Sequence, residues 1–459
     1  MNQIISKNIN KHLVISLIFS LIPLSLIIGT LALNLNIILF IIINLIFFKK
    51  EIFKRKYSDI DKLIIIFFIF ILFTGIFNTI ENYYFGDREY IYLPGIPMAG
   101  DANYDFTILI KTIAFMRYLF VYLIIRFLIE KNYLKFNLFF FSSAFFCFFV
   151  CLDVIFQFFV GVDIFGFESP TPRKLSGPFH DELIAGGYIQ RFSLFLLFLF
   201  PVFLKINNKH VSYFLSFFLL SLILISILIS GNRIPFVLFI ITIFLIMISE
   251  KELRKHILLI TTFVVIIFAS LYFFNKEIKI NFKHFFRQSA IILKVVNPVN
   301  LFTDYKFDRT NLPEHFDEFE SFYDTWLMNK FIGGGVRAFR LNCPKRKNIY
   351  LGPTPKASER GTCNTHPHNY YLEIMTELGL VGTAIFLLII SKIVWFYVFK
   401  GSLFKNYIIP RKIEVPFFML FFAEIFPFKT SGSFFTSFNS TFIFIVLAVT
   451  VALINKRKT

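Results

Sequence analysis

The residues best suited to chemistry lie in Thr365-His366-Pro367-His368-Asn369-Tyr370-Tyr371-Leu372-Glu373, which runs on to Glu377-Leu378-Gly379-Leu380-Val381-Gly382. Pro367 suits a first helical turn, where its missing N–H costs nothing. His368 is then expected inside the opening turn of a helix. Free N–H groups at such a start favour anions and disfavour a protonated imidazole. A neutral histidine beside an anion site is what a general base for a hydroxyl needs. His366, Asn369 and Glu377 are candidates to orient His368 or an acceptor. Asn369, Glu373 and Glu377 recur at four-residue spacing and so share roughly one helical face. A polar helix cap with interfacial aromatic residues explains the same segment without chemistry, and both readings stand on the residues alone.

Cations form a second group. Arg173-Lys174-Leu175-Ser176-Gly177-Pro178-Phe179-His180-Asp181-Glu182 places two of them in one short loop. Arg173 and Lys174 suit a phosphate, and Glu182 is a further candidate on the acceptor side. Pairing with Asp163, Glu168 or Asp181 is the structural alternative. Ser230-Gly231-Asn232-Arg233 is a tight turn with a lone cation. Its guanidinium fork fits phosphate oxygens, or snorkels to lipid headgroups. Arg191, Lys111, Arg117 and Asp153 fall inside apolar stretches, where charge is expensive and faces a cavity or a partner. Arg117 is expected to pair with Asp153, and Arg126 to snorkel.

The elements that carry these residues are membrane helices. The chain is 56% hydrophobic and 17% charged, more apolar than soluble domains. About twelve runs are long enough, or nearly so, to cross some 30 Å of hydrocarbon. They fall near 13–30, 32–48, 60–79, 106–129, 134–160, 183–204, 211–229, 234–250, 257–274, 370–398, 414–428 and 439–455. The first resembles a signal peptide without a convincing cleavage site and is read as an uncleaved helix. Lysine and arginine cluster after every second run, at 49–56, 131–135, 205–209, 251–255, 400–405 and 456–458. This is the positive-inside pattern, and it puts both termini in the cytoplasm. It also reads the net charge of +18 as topology, and argues against a nucleic-acid partner. The loop at 81–105, with one Arg and five acids, lies outside. Three segments result: helices over 1–274, a large external loop over 275–369, and helices with a cytoplasmic tail over 370–459. The loop opens with an amphipathic piece at 282–295. Cys343 and Cys363 both fall in it, and a disulfide is expected between them if it faces an oxidising compartment. Cys147 and Cys151 read as small packing residues. No metal-ligand spacing and no nucleotide-binding loop is found in the sequence.

The sequence His368-Asn369, nine residues, Gly379-Leu380-Val381-Gly382 resembles the signature of the O-antigen ligase and polymerase superfamily. Its place, at the end of a large external loop and before a span, is similar too. So are Asp163-Ile164-Phe165-Gly166 leading to Arg173, the Ser230–Arg233 turn, and Trp326 through Gly333-Gly334-Gly335. The resemblance covers most of the chain from the fourth span on. It implies an all-α, GT-C-like bundle of about 12 transmembrane helices with one large periplasmic loop, in the bacterial inner membrane. It further implies a metal-independent glycosyltransferase without cofactor. The donor would be an undecaprenyl-pyrophosphate-linked glycan. The acceptor would be lipid A–core for a ligase, or another lipid-linked repeat for a polymerase. In that setting His368 is the base, and Arg173, Lys174, Arg191 and Arg233 meet the pyrophosphate.

The complete signature favours ligase over polymerase. Paired polymerase motifs set a Gly sixteen positions after the Arg, where this chain has Ile189 and Ser249. A transporter or flippase for a lipid-linked sugar is the reading from another class. It calls for related halves and Gly- or Pro-broken spans, and the sequence suggests neither.

Overall fold

The computed structural model describes residues 2–85, 106–204, 208–249, 257–296, 314–343, 366–397, 413–429 and 432–456. Among them the architecture is all-helical, with two isolated bridges in place of any sheet. The helices in chain order are α1 (Asn2–Ser20), α2 (Ile22–Ile28), α3 (Thr30–Phe48), α4 (Asp59–Phe85), α5 (Thr107–Phe115), α6 (Arg117–Glu130), α7 (Phe136–Val160) and α8 (Ala185–Leu199). There follow α9 (Lys209–Ile229), α10 (Arg233–Ser249), α11 (Ile257–Phe274), α12 (Lys276–Val296), α13 (Glu314–Met328), α14 (Phe339–Asn342), α15 (Tyr370–Trp395), α16 (Glu414–Glu424) and α17 (Ser437–Lys456).

Nine stretches among the described residues are long and apolar enough to cross a membrane. The chain is therefore a multi-pass membrane protein. The expected spans at 234–250 and 257–274 are α10 and α11, at nearly the same bounds. The one expected at 414–428 is shorter: α16 has 11 residues, a rise of roughly 16 Å. It stops because the chain meets Pro427, which cannot continue a helix. The centre of the bundle is α17, which packs on α6 and α16. There Phe444 stacks on Tyr118 at 5.6 Å. α15 packs against α4 on one side and α13 on another.

Intramembrane charges find partners that the sequence did not name. Arg126 does not snorkel. It is buried, and donates to both oxygens of Asp61, at 2.9 and 3.0 Å. Nor does Arg117 pair with Asp153. The break at Met116 starts α6 at Arg117, whose guanidinium donates to Asn34 on α3 at 3.2 Å and to Ser437 on α17 at 3.1 Å. Asp153 accepts the Ile164 N–H at 2.7 Å instead. Asp61→Ala strands a buried Arg126, and breaking such a pair costs about 3–5 kcal/mol. The variant is expected to lose thermal stability in detergent by that order. Unchanged melting would show that the pair contributes nothing.

The amphipathic helix of the large loop is longer than expected. The Asn275 side chain accepts the Ile278 N–H at 2.9 Å, so α12 starts at Lys276. Its buried Phe282 packs on Phe236 of α10 and Phe268 of α11, at 5.8 and 4.8 Å between ring centres. Cys147 and Cys151 are free and buried, while Cys343 is disulfide-bonded. The expected partner, Cys363, lies outside the described residues.

Candidate active site

α15 starts at Tyr370, three residues after the Pro367 that the sequence placed in the first turn. Asn369, with an extended backbone, is the N-cap. Its Oδ1 accepts from the N–H groups of Tyr371 and Leu372, at 3.0 and 3.1 Å. Its Nδ2 donates to the Pro427 carbonyl at 2.9 Å, which ties the start of α15 to the end of α16. Asparagine is among the best N-caps, because its oxygen satisfies helix N–H groups that have no other partner. His368 therefore stands outside the first turn, with φ of 53°. That left-handed backbone is uncommon for a residue other than glycine, and strain of this kind concentrates at functional sites. The His366 and His368 rings meet edge-on, with centres 4.2 Å apart.

His366 is held neutral. Its pKa is pushed down to about 4, first by burial and then by His368, with Arg340 and Arg337 adding to the effect and Glu318 opposing it. Between its ordinary value and about 4, the unfolded chain binds a proton that the folded chain refuses. Stability therefore falls as pH drops through that window. The melting temperature of wild type is expected to decline between pH 6.5 and 4, and His366→Asn to show a flatter decline. Equal slopes would mean that His366 is not a buried neutral group.

The signature glycines hold α15 to the large loop. α15 is broken at Gly379, whose φ is 65°. This corrects the expectation of unbroken spans. The backbone groups released by the break bind the loop segment 330–335. Gly334 and Gly335 N–H groups donate to the carbonyls of Thr376 and Glu377, at 3.2 and 2.8 Å. Leu380 and Val381 N–H groups donate to the carbonyls of Lys330 and Phe331, at 2.9 and 3.2 Å. No room is left for a side chain at the contact. A Cβ on Gly379 would lie 2.3 Å from the Phe331 oxygen, and one on Gly333 would lie 2.4 Å from the Glu377 carbonyl carbon. Asn78 of α4 donates to the Gly333 carbonyl at 3.0 Å, so the loop is also seated on α4.

Of the acids of α15, Glu377 serves the same join and Glu373 holds the segment before α17. Glu377 accepts from the N–H groups of Ala338 and Phe339 at the start of α14, at 2.7 and 3.2 Å. Glu373 accepts from the Ser433 hydroxyl at 2.5 Å and the Phe434 N–H at 2.6 Å. The side chains of Asn369 and Glu377, expected to orient His368, are thus engaged with neighbouring backbone. Glu182 lies exposed in the turn before α8.

Beside the histidines lies a buried charge cluster that the sequence reading missed. Glu424, at the end of α16, accepts from Arg191 at 2.5 and 3.2 Å, from Lys429 at 2.5 Å and from the Tyr370 hydroxyl at 2.8 Å. Arg191 also donates to Asn439 of α17 at 2.6 Å. Tyr370 directly follows the cap Asn369, so this cluster sits next to the histidine segment. An acid at the end of an apolar run was the available signal, since a charge there needs a partner. Lys429 follows it closely, but Arg191 of α8 and Tyr370 of α15 come from distant parts of the chain, which no local pattern reveals.

The remaining cations come together elsewhere. Gly231, with φ of 72°, lets the α9–α10 turn press on the α7–α8 loop. A Cβ there would meet the Arg173 carbonyl at 2.3 Å and the Lys174 Cα at 3.2 Å. Asn281 of α12 joins both sides. It donates to the Arg173 carbonyl at 2.9 Å, and its own carbonyl accepts from Arg233 at 3.3 Å. The Lys174 pKa is pushed down by burial and by Arg233 beside it. Two of the acids offered as alternative partners are engaged locally. Asp163 accepts from the N–H groups of Phe165 and Phe167, at 3.0 and 2.8 Å, and Asp181 lies 3.5 Å from His180. Arg173, Lys174 and Arg233 thus form one patch, and Arg191 belongs to the Glu424 cluster. The two are linked through α10, which carries Arg233 at its start and packs on α16. Among the described residues, no three His, Cys, Asp or Glu side chains are grouped to hold a metal ion.

The sequence model of the O-antigen ligase family matches residues 217–387. The matched stretch takes in the Arg233 turn, α12, the glycine loop, His368 and the Gly379 break. The match supports placing the chain in the O-antigen ligase-like superfamily. No curated protein matches the chain.

Proposed function

We propose that this protein is a glycosyltransferase of the O-antigen ligase type, with its active site on the periplasmic face of the bacterial inner membrane. It moves a glycan from undecaprenyl pyrophosphate to a hydroxyl of lipid A–core. The observation that carries this reading is the histidine pair at the Asn369 cap, with a strained His368 beside a neutral His366, inside the matched stretch. His368 accepts the proton of the acceptor hydroxyl. The acceptor oxygen forms the new bond to the anomeric carbon. The bond from that carbon to the pyrophosphate oxygen breaks, and undecaprenyl pyrophosphate leaves with the electron pair. Arg173, Lys174 and Arg233 meet the charge developing on the leaving group, and one such contact is typically worth roughly 3 kcal/mol. Arg191 acts from the buried cluster with Glu424, Lys429 and Tyr370. No metal and no nucleotide takes part in this reading.

Complementation tests it. In the native host with the gene deleted, wild type is expected to restore polymer on lipid A–core. His368→Ala is expected to leave long lipid-linked polymer stranded. Single repeats already attached to core in the deletion strain would make the protein a polymerase of the same superfamily. Normal lipopolysaccharide with His368→Ala at equal expression would rule out the proposed base and favour transport of a lipid-linked sugar.

A further inference from the structure

The end of the bundle away from the histidines holds an unequal set of buried charges. Lys392, near the end of α15, lies 3.9 Å from Asp59, so the start of α4 is about one span from His368. Here the fully buried Asp61 accepts both arms of Arg126, the Tyr122 hydroxyl at 2.6 Å, and the N–H and O–H of Ser58 at 2.9 and 2.7 Å. Arg55 approaches the same carboxylate at 3.0 Å with its side chain 2% exposed. Its Nε, Nη1 and Nη2 make no hydrogen bond. Glu130, half exposed, stands 4.0 Å from Nη1. The Tyr57 ring covers the guanidinium, 5.2 Å from its centre.

A guanidinium has five N–H donors in a fixed fork, and a buried charged donor without an acceptor is expensive. Two guanidiniums here face one enclosed carboxylate. Phosphate oxygens match the fork and supply one compensating charge. The place fits as well. Lys49, Lys50, Lys54 and Lys56 neighbour Arg55 in the sequence and Lys131 follows Glu130, just where the apolar runs end, which suits the depth of lipid headgroups. Basic pockets between helices at such a face suit anionic lipid headgroups. We propose that Arg55, with its flanking lysines, binds the phosphate of an anionic phospholipid, and that Tyr57 and Glu130 swing aside to admit it.

The test is native mass spectrometry of the full-length protein in detergent, titrated with dioleoyl-phosphatidylglycerol, dioleoyl-phosphatidylcholine or inorganic phosphate. Wild type is expected to retain phosphatidylglycerol in preference to phosphatidylcholine. Arg55→Gln is expected to hold it about tenfold more weakly. Glu130→Gln removes a competing carboxylate and is expected to hold it more tightly. Equal binding of the two lipids, or equal retention by wild type and Arg55→Gln, overturns the proposal. So does displacement of the lipid by inorganic phosphate at matching concentration, which would make this a site for free phosphate. If Arg55→Gln does not fold, Glu130→Gln decides alone, and an unchanged affinity in that variant also overturns it.

Discussion

His368→Ala is expected to slow glycan transfer by about a hundredfold to ten-thousandfold, the range for losing a positioned general base. Purified protein, lipid-linked donor and acceptor in detergent give the measurement. The loss is expected in the chemical step, with little change in melting temperature, since Asn369 and not His368 caps α15. His366→Ala is expected to fall less far, because His366 touches His368 and is not itself the base in this reading. A His368→Ala enzyme within a few-fold of wild type, at equal folding, would remove this residue from the chemistry.

Gly379→Ala is expected to be the most damaging small substitution in the chain. The residue has φ of 65°, and an added Cβ would meet the Phe331 oxygen at 2.3 Å. Left-handed backbone costs an L-residue roughly 1–2 kcal/mol, and forcing an extra carbon into a packed contact costs about 1–3 kcal/mol more. The expected loss is about 3 kcal/mol of stability, with the join between α15 and the large loop opened. Gly333→Ala attacks the same contact from the other side, against the Glu377 carbonyl. The double variant is expected to lose less than the sum, because the first change already parts the surfaces. Wild-type melting and activity in Gly379→Ala would mean that the contact is dispensable.

The sequence by itself determined that the chain crosses a membrane many times, and it picked out the histidine segment before α15. Apolar runs at 63–79 or 213–229 declare membrane helices without reference to any distant residue, because crossing hydrocarbon is a property of one segment. The spacing from His368 to Gly379 and Gly382 was legible for the same reason. It marked these glycines as important but not why, since the segment that fills the break lies at 330–335, far back in the chain. Buried charges show the same division. Arg117, Asp153 and Arg191 each announced that a partner was needed, while Arg126 was read as snorkelling. Which partner was chosen depended on packing. Arg126 found Asp61 across α4 and α6, and Arg191 found Glu424 across α8 and α16. Arg173 and Arg233 were read as separate loops, and Gly231 and Asn281 make them one patch. Local composition fixes what must be buried or paired, and only the tertiary structure decides with what, because the pairing energy is gained between groups that the chain brings together after long separation.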